Sequence, residues 1–422
     1  MKQITCSRLG ETLYHHTHQS GLEIYILPKA GYSKSYAIFA TKYGSADADF
    51  LNPHTGKQIS VPDGVAHFLE HKMFEQPDGT DAFAEFSKSG ADANAFTSFL
   101  TTAYLFSCTA GFYDNLRHLL DFVQTPYFTK ENVAKEQGII GQEIRMYEDD
   151  PGWRSYFNVI EAMYHTNPVR RDIAGTVESI ATITPELLYD CYNTFYHPSN
   201  MILFCTGDVT AEQVVQTAEQ VIRPEYRDLG EITRYRPQEP DSVFQHEVTQ
   251  TLSVAQPLFY LGIKSKPQQN LLKQELAGAV LMEAVLGKSA SLYQELYGQG
   301  LITPSFGTEV TCEREYAHVI MGGTAPDPRK TADSLKQGLK KIKDQGLAPE
   351  DFSRAKKVIL GDSIRMFNSV EQIANNFINA LFRGGSLFDA PQLLSQMTVE
   401  DCNSMMNELF CEDAMALSIV TG

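Results

Sequence analysis

Two hydrophobic periods alternate along the chain. Residues 21–27 (GLEIYIL) place apolar side chains at every second position, and 35–44 (SYAIFATKYG) run almost continuously apolar, as strands do. Residues 65–74 (VAHFLEHKMF) instead space their apolar positions three and four apart, the period of a helix with one face on a core. A helix over 80–90, strands across 93–109, a helix over 112–124 and a long helix over 131–148 follow. This alternation predicts an α+β fold.

The plan is then traversed a second time. A polar stretch over 224–242 (PEYRDLGEITRYRPQEPDS), dense in proline, arginine and glutamate, interrupts the pattern and reads as a linker. Beyond it, 350–362 (EDFSRAKKVILGD) aligns without gaps on 131–143 (ENVAKEQGIIGQE), pairing Glu131 with Glu350, Lys135 with Arg354 and Ile140 with Ile359. The strand ending SCTA at 107–110 matches MGGTA at 321–325, each followed by an amphipathic helix. The expected organisation is an N-terminal domain over 1–225, a linker over 226–243 and a C-terminal repeat over 244–422. At 422 residues the chain is long enough for two cores.

Charge and cysteine content narrow the function. A formal net charge of −17 argues against nucleic-acid binding, which needs a basic face. No apolar run approaches eighteen residues, and the first residues (MKQITCSRLG) lack a signal-peptide core, so a cytoplasmic location without a membrane span is expected. The seven cysteines form no CxxC pair and include Cys108 and Cys205 inside apolar runs, as buried reduced thiols would.

Chemistry concentrates in 64–76 (GVAHFLEHKMFEQ). On a helix, His67 and His71 share a face and can present two imidazoles to one ion, with Glu70 beside them. This H-x-x-E-H order inverts the H-E-x-x-H zinc motif, and a catalytic zinc site wants three protein ligands with the fourth position open. Two turns along the long helix, Glu136 and Glu143 flank Ile139 and Ile140, which suggests that this side packs inward. Glu143 is the candidate third ligand, and Glu136 the carboxylate that orients a histidine. The second half does not repeat this chemistry: Glu136 aligns with Ala355, and LAGAVLMEAVLG at 276–287 stands where HFLEH would. His15, His16 and His18 lie in a strand or hairpin with no evident carboxylate and are expected to be surface histidines, and 148–150 a solvated helix end.

His67, Glu70, His71 and the E-x6-E pair resemble the pitrilysin and insulysin family of inverted zinc metallopeptidases, in the half-length branch that includes mitochondrial processing peptidase. Residues 90–104 (GADANAFTSFLTTAY) are similar to that family's N-A-x-T segment, and 195–209 (FYHPSNMILFCTGDV) to its Y-H-P-x-N turn and strand. The resemblance implies two homologous α/β halves, each a mostly antiparallel sheet covered by helices, of the LuxS/processing-peptidase-like kind. It also implies one Zn2+ per chain on His67, His71 and Glu143, with Glu70 as the general base that activates water to hydrolyse unfolded peptides. Asn94, Ala95 and Phe96 would meet an extended substrate along a sheet edge.

One departure stands out. Where self-sufficient members carry an Arg and a Tyr that hold substrate, 292–307 (LYQELYGQGLITPSFG) places Tyr297 and Thr303, with one residue fewer. The resemblance therefore implies a homologous metal-free partner subunit, or a second copy of this chain, that completes a two-chain chamber. The alternative from another class is a non-catalytic peptide-binding or scaffold subunit, which would be expected to have lost ligands.

Overall fold

The computed structural model describes residues 1–223 and 230–422, so part of the expected linker, 226–229, lies outside the described residues. By packing, the chain divides into two compact units, each built from three stretches. The first comprises Met1–Ile144, Arg171–Arg236 and Met366–Phe382, and the second Arg145–Arg170, Pro237–Arg365 and Arg383–Gly422.

In chain order the strands of the first unit are β1 (Lys2–Cys6), β2 (Glu11–Thr17), β3 (Glu23–Pro28), β4 (Ser35–Thr41), β5 (Asp49–Leu51), β6 (Gln58–Ser60), β7 (Asp92–Thr97), β8 (Thr102–Cys108) and β9 (Met201–Gly207). Seven of them form one sheet in the order β1-β2-β3-β9-β4-β8-β7, and β5 and β6 make a separate hairpin. Only the β3–β9 pair is parallel. The central strands β4 and β9 bury every residue, which explains why SYAIFAT and MILFCTG read as continuous apolar runs. Edge strand β7, by contrast, alternates exposed and half-buried residues from Asp92 to Ala95 and stays half-buried through Phe96 and Thr97.

The second unit holds β10 (Glu247–Thr251), β11 (Leu258–Ser265), β12 (Gly307–Cys312), β13 (Ala317–Thr324) and β14 (Met415–Thr421), in the order β10-β14-β11-β13-β12. Here again a single pair, β10–β14, is parallel. Each sheet is covered by helices, so the mostly antiparallel α+β plan in two related halves is the observed one.

The helices that matter for the site are α1 (Val65–Lys72), α2 (Ala82–Lys88), α3 (Phe112–Val123), α4 (Lys130–Asp149) and α5 (Pro151–Met163). Gly64 opens α1 at φ 92°, and a Cβ there would lie 2.4 Å from the Ala174 carbonyl oxygen, so only glycine lets the helix start against that loop. At the start of α4, Thr129 and Asn132 exchange backbone-to-side-chain hydrogen bonds of 2.9 and 3.2 Å. Its other end is set by Asp150 and Pro151: proline disfavours a helical residue before it, and the Asp150 side chain caps α5 at the Trp153 amide, 2.7 Å away. The acidic stretch 148–150 thus ends one helix and starts the next.

The units do not coincide with contiguous halves at 1–225 and 244–422. Helix α5, from the first pass, packs on β11 and β14 of the second unit. Its approach is so close that a Cβ on Gly262 would meet Met163 Sδ at 2.6 Å and Val159 Cγ2 at 2.9 Å. Conversely, the helix Val370–Phe382, from the second pass, packs on β4 and β9 of the first unit, where Phe377 stacks on Phe204 with centroids 5.1 Å apart. Hydrophobic period tells that a helix has a buried face but not which sheet receives it. The described part of the expected linker is pinned at both ends: Arg234 and Arg236 pair with buried Asp47 at 2.8 and 2.6 Å, and Glu239 accepts from the amides of His165, Thr166 and Asn167.

Candidate metal centre

Helix α1 turns Val65, Ala66, Phe68 and Leu69 into the core of the first unit, and the same rotation carries Glu70 and Lys72 below the surface. His67 and His71, one turn apart, project together with ring centroids 4.5 Å apart. From α4, Glu143 reaches the same point: its oxygens lie 3.7 Å from His67 Nε2 and 3.6 Å from His71 Nε2. One donor atom from each of the three fits within a 4.8 Å spread, and this is the sole such group among the described residues. These are the three residues that the sequence offered as candidate ligands.

Glu136, one face with Glu143 on α4, takes the role expected of it by position: His71 Nδ1 donates to Glu136 Oε1 at 3.1 Å. In the neutral ring that bond leaves the lone pair on His71 Nε2, the atom 3.6 Å from Glu143 Oε2. Between the two glutamates, Ile140 is buried, whereas Ile139 is 46% exposed and does not pack inward as expected. A helix has only so wide a buried stripe, and Ile139 lies beyond its edge.

Two residues completing the site were not anticipated. Thr97, the last residue of β7, donates its hydroxyl to Glu70 Oε2 at 2.6 Å, and its own oxygen lies 3.3 Å from that of Thr102. Lys72, with no exposed side-chain surface, pairs with Glu75 and stands 3.7 Å from Glu136 Oε2. A lysine inside the apolar-periodic run 65–74 was a visible signal; the threonine contact depends on how a sheet edge meets α1.

The electrostatics follow from burial and from three glutamates crowding one place. Burial pushes the Glu70 carboxyl up to about 7, against the opposing pull of the Thr97 hydrogen bond and His71. Burial, with His71 adding to it, holds His67 down at about 4, so its imidazole is neutral near pH 7. For His71 burial also favours the neutral form, but the Glu136 hydrogen bond and the surrounding carboxylates outweigh it and raise the pKa. Burial likewise works against charge on Glu136, yet His71 and Lys72 keep it ionised and its pKa is lowered. Glu70, Glu136 and Glu143 together outnumber the one lysine, an excess that a divalent cation between His67, His71 and Glu143 would offset. Two imidazoles and a carboxylate converging on one point fit such an ion.

The remaining predicted residues fall in several places. Asn94, Ala95 and Phe96 lie on β7, the edge strand, three to one residues before Thr97; the Asn94 side chain accepts from the Ala95 amide at 2.9 Å. In the second unit, Tyr297 is exposed and Thr303 shares hydrogen bonds with the hydroxyls of Ser305 and Thr324 at 2.8 and 2.7 Å. His15 and His16 of β2 and His18 just after it differ from expectation, because each has a carboxylate: His15 pairs with Glu23, while His16 and buried His18 lie 3.0 and 3.3 Å from the two oxygens of Glu219. Glu219 is about two hundred residues downstream, so only the fold brings it there. All seven cysteines are thiols rather than disulfides, and five of them are buried, Cys108 and Cys205 included.

Comparison with known proteins places this geometry. Residues 56–177 match the insulinase model of peptidase family M16, and 182–359 match the peptidase M16 inactive domain. The chain is 46% identical to the uncharacterized zinc protease YmfH of Bacillus subtilis, over 99% of this chain and 98% of that one. It superposes on an M16-like peptidase from Alicyclobacillus acidocaldarius with a TM-score of 0.94 at 36% identity, covering 99% of this chain and all of the other. It also shares the fold of the periplasmic protease PqqL from Escherichia coli at a TM-score of 0.74 and 18% identity, covering 100% of this chain but 48% of PqqL.

Proposed function

Because the chain belongs to the insulinase family of peptidases, M16, we propose that it is a zinc-dependent endopeptidase or oligopeptidase that cleaves unfolded peptides. The observation that carries this reading is the convergence of His67, His71 and Glu143 beside a buried Glu70 that is not one of the three donors. A structural site would leave Glu70 without a task, and closed structural zinc sites favour cysteine, absent from this cluster. Zinc suits two imidazoles and a carboxylate, and the relatives' designation as zinc proteases agrees.

When bound, the metal polarises the scissile carbonyl and lowers the pKa of water to about 7. Glu70 then accepts the proton of the attacking water and passes it to the leaving amine nitrogen. Thr97 holds the Glu70 carboxyl in one orientation throughout, leaving the other oxygen for the proton. Glu136 fixes the tautomer of His71. Along β7, Asn94, Ala95 and Phe96 offer a sheet edge to which an extended peptide adds as a further strand.

The chain corresponds in fold to about half of PqqL, and Tyr297 and Thr303 stand where an Arg and a Tyr would hold substrate. Pairing with a homologous metal-free subunit, or with a second copy, would supply what is missing. The test is mass-spectrometric cleavage of an unstructured peptide pool by the zinc-loaded chain and by Glu70→Gln. Cleavage by the wild type alone supports a self-sufficient peptidase. Bound zinc without cleavage, restored when a homologous metal-free chain is added, supports the paired enzyme. No cleavage under either condition favours the scaffold reading.

A further inference from the structure

Helix α4 leaves two large apolar side chains in solvent, and both border the metal centre. Ile139 is 46% exposed and Met146 60%, four residues before Glu143 and three after it. At about 100° per residue, they stand roughly 40° and 60° from Glu143 on one side, whereas the buried Ile140 and Ile144 stand roughly 60° and 100° from it on the other. A rise of about 1.5 Å per residue puts Ile139 about 6 Å and Met146 about 4.5 Å from Glu143 along the axis. The core thus closes one flank of the ligand, and an apolar strip borders the open one. A single exposed apolar residue is ordinary, but these two bracket one functional side chain.

The second pass shows the same helix without the chemistry. Continuing the gapless alignment into Pro349–Arg365, Asp362 takes the position of Glu143 and Arg365 that of Met146, and the two form an ion pair. A cation at 146 would take the Glu143 carboxylate in the same way and compete with the metal. The absence of a cation follows from that, but the choice of a large apolar side chain does not, because a neutral polar one would serve equally. Val358 stands at the Ile139 position and is exposed too, so the pairing of 139 with 146, rather than either residue alone, marks the metal-bearing helix.

We propose that Ile139 and Met146 determine specificity: the strip receives a large apolar side chain of the substrate peptide, within three or so residues of the bond that is cut. This rests on the peptidase reading, in which the scissile carbonyl lies at the metal and so within one helical turn of both residues. An extended peptide advances about 3.3 Å per residue, and the strip runs about 10 Å along α4, so it reaches residues one to three positions from the cut. The occupant is the substrate itself because the strip is continuous with the place where the reacting bond must sit.

The test profiles the cuts made in an unstructured peptide pool by the zinc-loaded chain and by its double variant Ile139→Glu, Met146→Glu. The wild type should enrich leucine, isoleucine, methionine or phenylalanine at one position within three residues of the cut. The double variant should cut such peptides roughly tenfold less and gain arginine and lysine at the same position, a switch that loosened folding would not produce. Both positions are exposed and added carboxylates do not repel the ion, so melting temperature and zinc content should hold. Silence of the wild type would count against the peptidase reading without deciding the strip, which a second measurement reads. An acetylated, amidated nonapeptide of alanine and glutamine with one central p-benzoylphenylalanine is irradiated with the zinc-loaded Glu70→Gln chain. Attachment should fall within 139–146 and be competed by the same peptide with leucine at its centre, not with glutamate. No apolar enrichment in wild-type cuts, the same enrichment in the double variant, or attachment that is absent or confined to other segments would each overturn the proposal.

Discussion

Replacing Glu136 by glutamine isolates the carboxylate behind the metal site without touching a ligand. Its oxygen accepts from His71 Nδ1 at 3.1 Å, a hydrogen bond between a charged acceptor and an imidazole that is itself raised in pKa. Hydrogen bonds to charged groups contribute about 1.5–3 kcal/mol and neutral ones about 0.5–1.5, so the glutamine forfeits roughly 1–2 kcal/mol of orientation. At about 1.4 kcal/mol per decade that is roughly a fivefold to thirtyfold loss of metal affinity, overlapping the range of about 10–100-fold usual for carboxylates that orient ligating histidines. Lys72 also loses a countercharge at 3.7 Å, but it keeps Glu75, and this cost falls on the metal-free and metal-bound chains alike. It lowers the melting temperature of both and cancels in the affinity. The assay is competition for zinc against a chromophoric chelator at pH 8, with Glu143→Gln as the variant that removes a ligand outright. An affinity within twofold of wild type for Glu136→Gln would refute the argument that this carboxylate orients His71. So would a loss as large as that of Glu143→Gln.

Thr97→Val should lower kcat roughly tenfold with little change in KM or bound zinc, and shift the acidic limb of the pH profile upward because the hydrogen bond that lowers the Glu70 pKa is gone; Thr97→Ser should restore both. Unchanged kcat in the valine variant would remove Thr97 from the mechanism. Glu239 is held down at about 2, burial opposing and the amides of His165, Thr166 and Asn167 with Lys264 prevailing, so it stabilises the fold above the usual carboxylate range and loses that contribution as pH falls toward 2. Partial solvation reduces the nominal figure to about 1–2 kcal/mol, so Glu239→Gln should unfold at lower urea than wild type at pH 7, and the gap should narrow between pH 4.5 and 2. A gap independent of pH would contradict this. Gly262→Ala should destabilise the second unit by about 1–3 kcal/mol, because the new methyl meets Met163 and Val159 of α5, and an unchanged unfolding midpoint would show that α5 does not pack there so closely.

Local spacing determined what could be read without a fold. His67, Glu70 and His71 sit within two turns of one helix, so their shared face follows from helical geometry alone, and the same holds for Glu136 and Glu143 on α4. The two-pass plan was equally legible, because related segments keep the same hydrophobic period in the same order. Contacts across the chain were not. Thr97 meets Glu70 only because β7 ends beside α1, and Glu219 reaches His16 and His18 only because the helix Ala211–Val221 lies next to β2. Ile139 shows the limit of pattern reading even within one helix, since the width of the buried stripe depends on what packs against it. The exchange of α5 and Val370–Phe382 between the two units is the largest such decision: an amphipathic sequence specifies a face to bury, and the partner surface that buries it exists only once both sheets have formed.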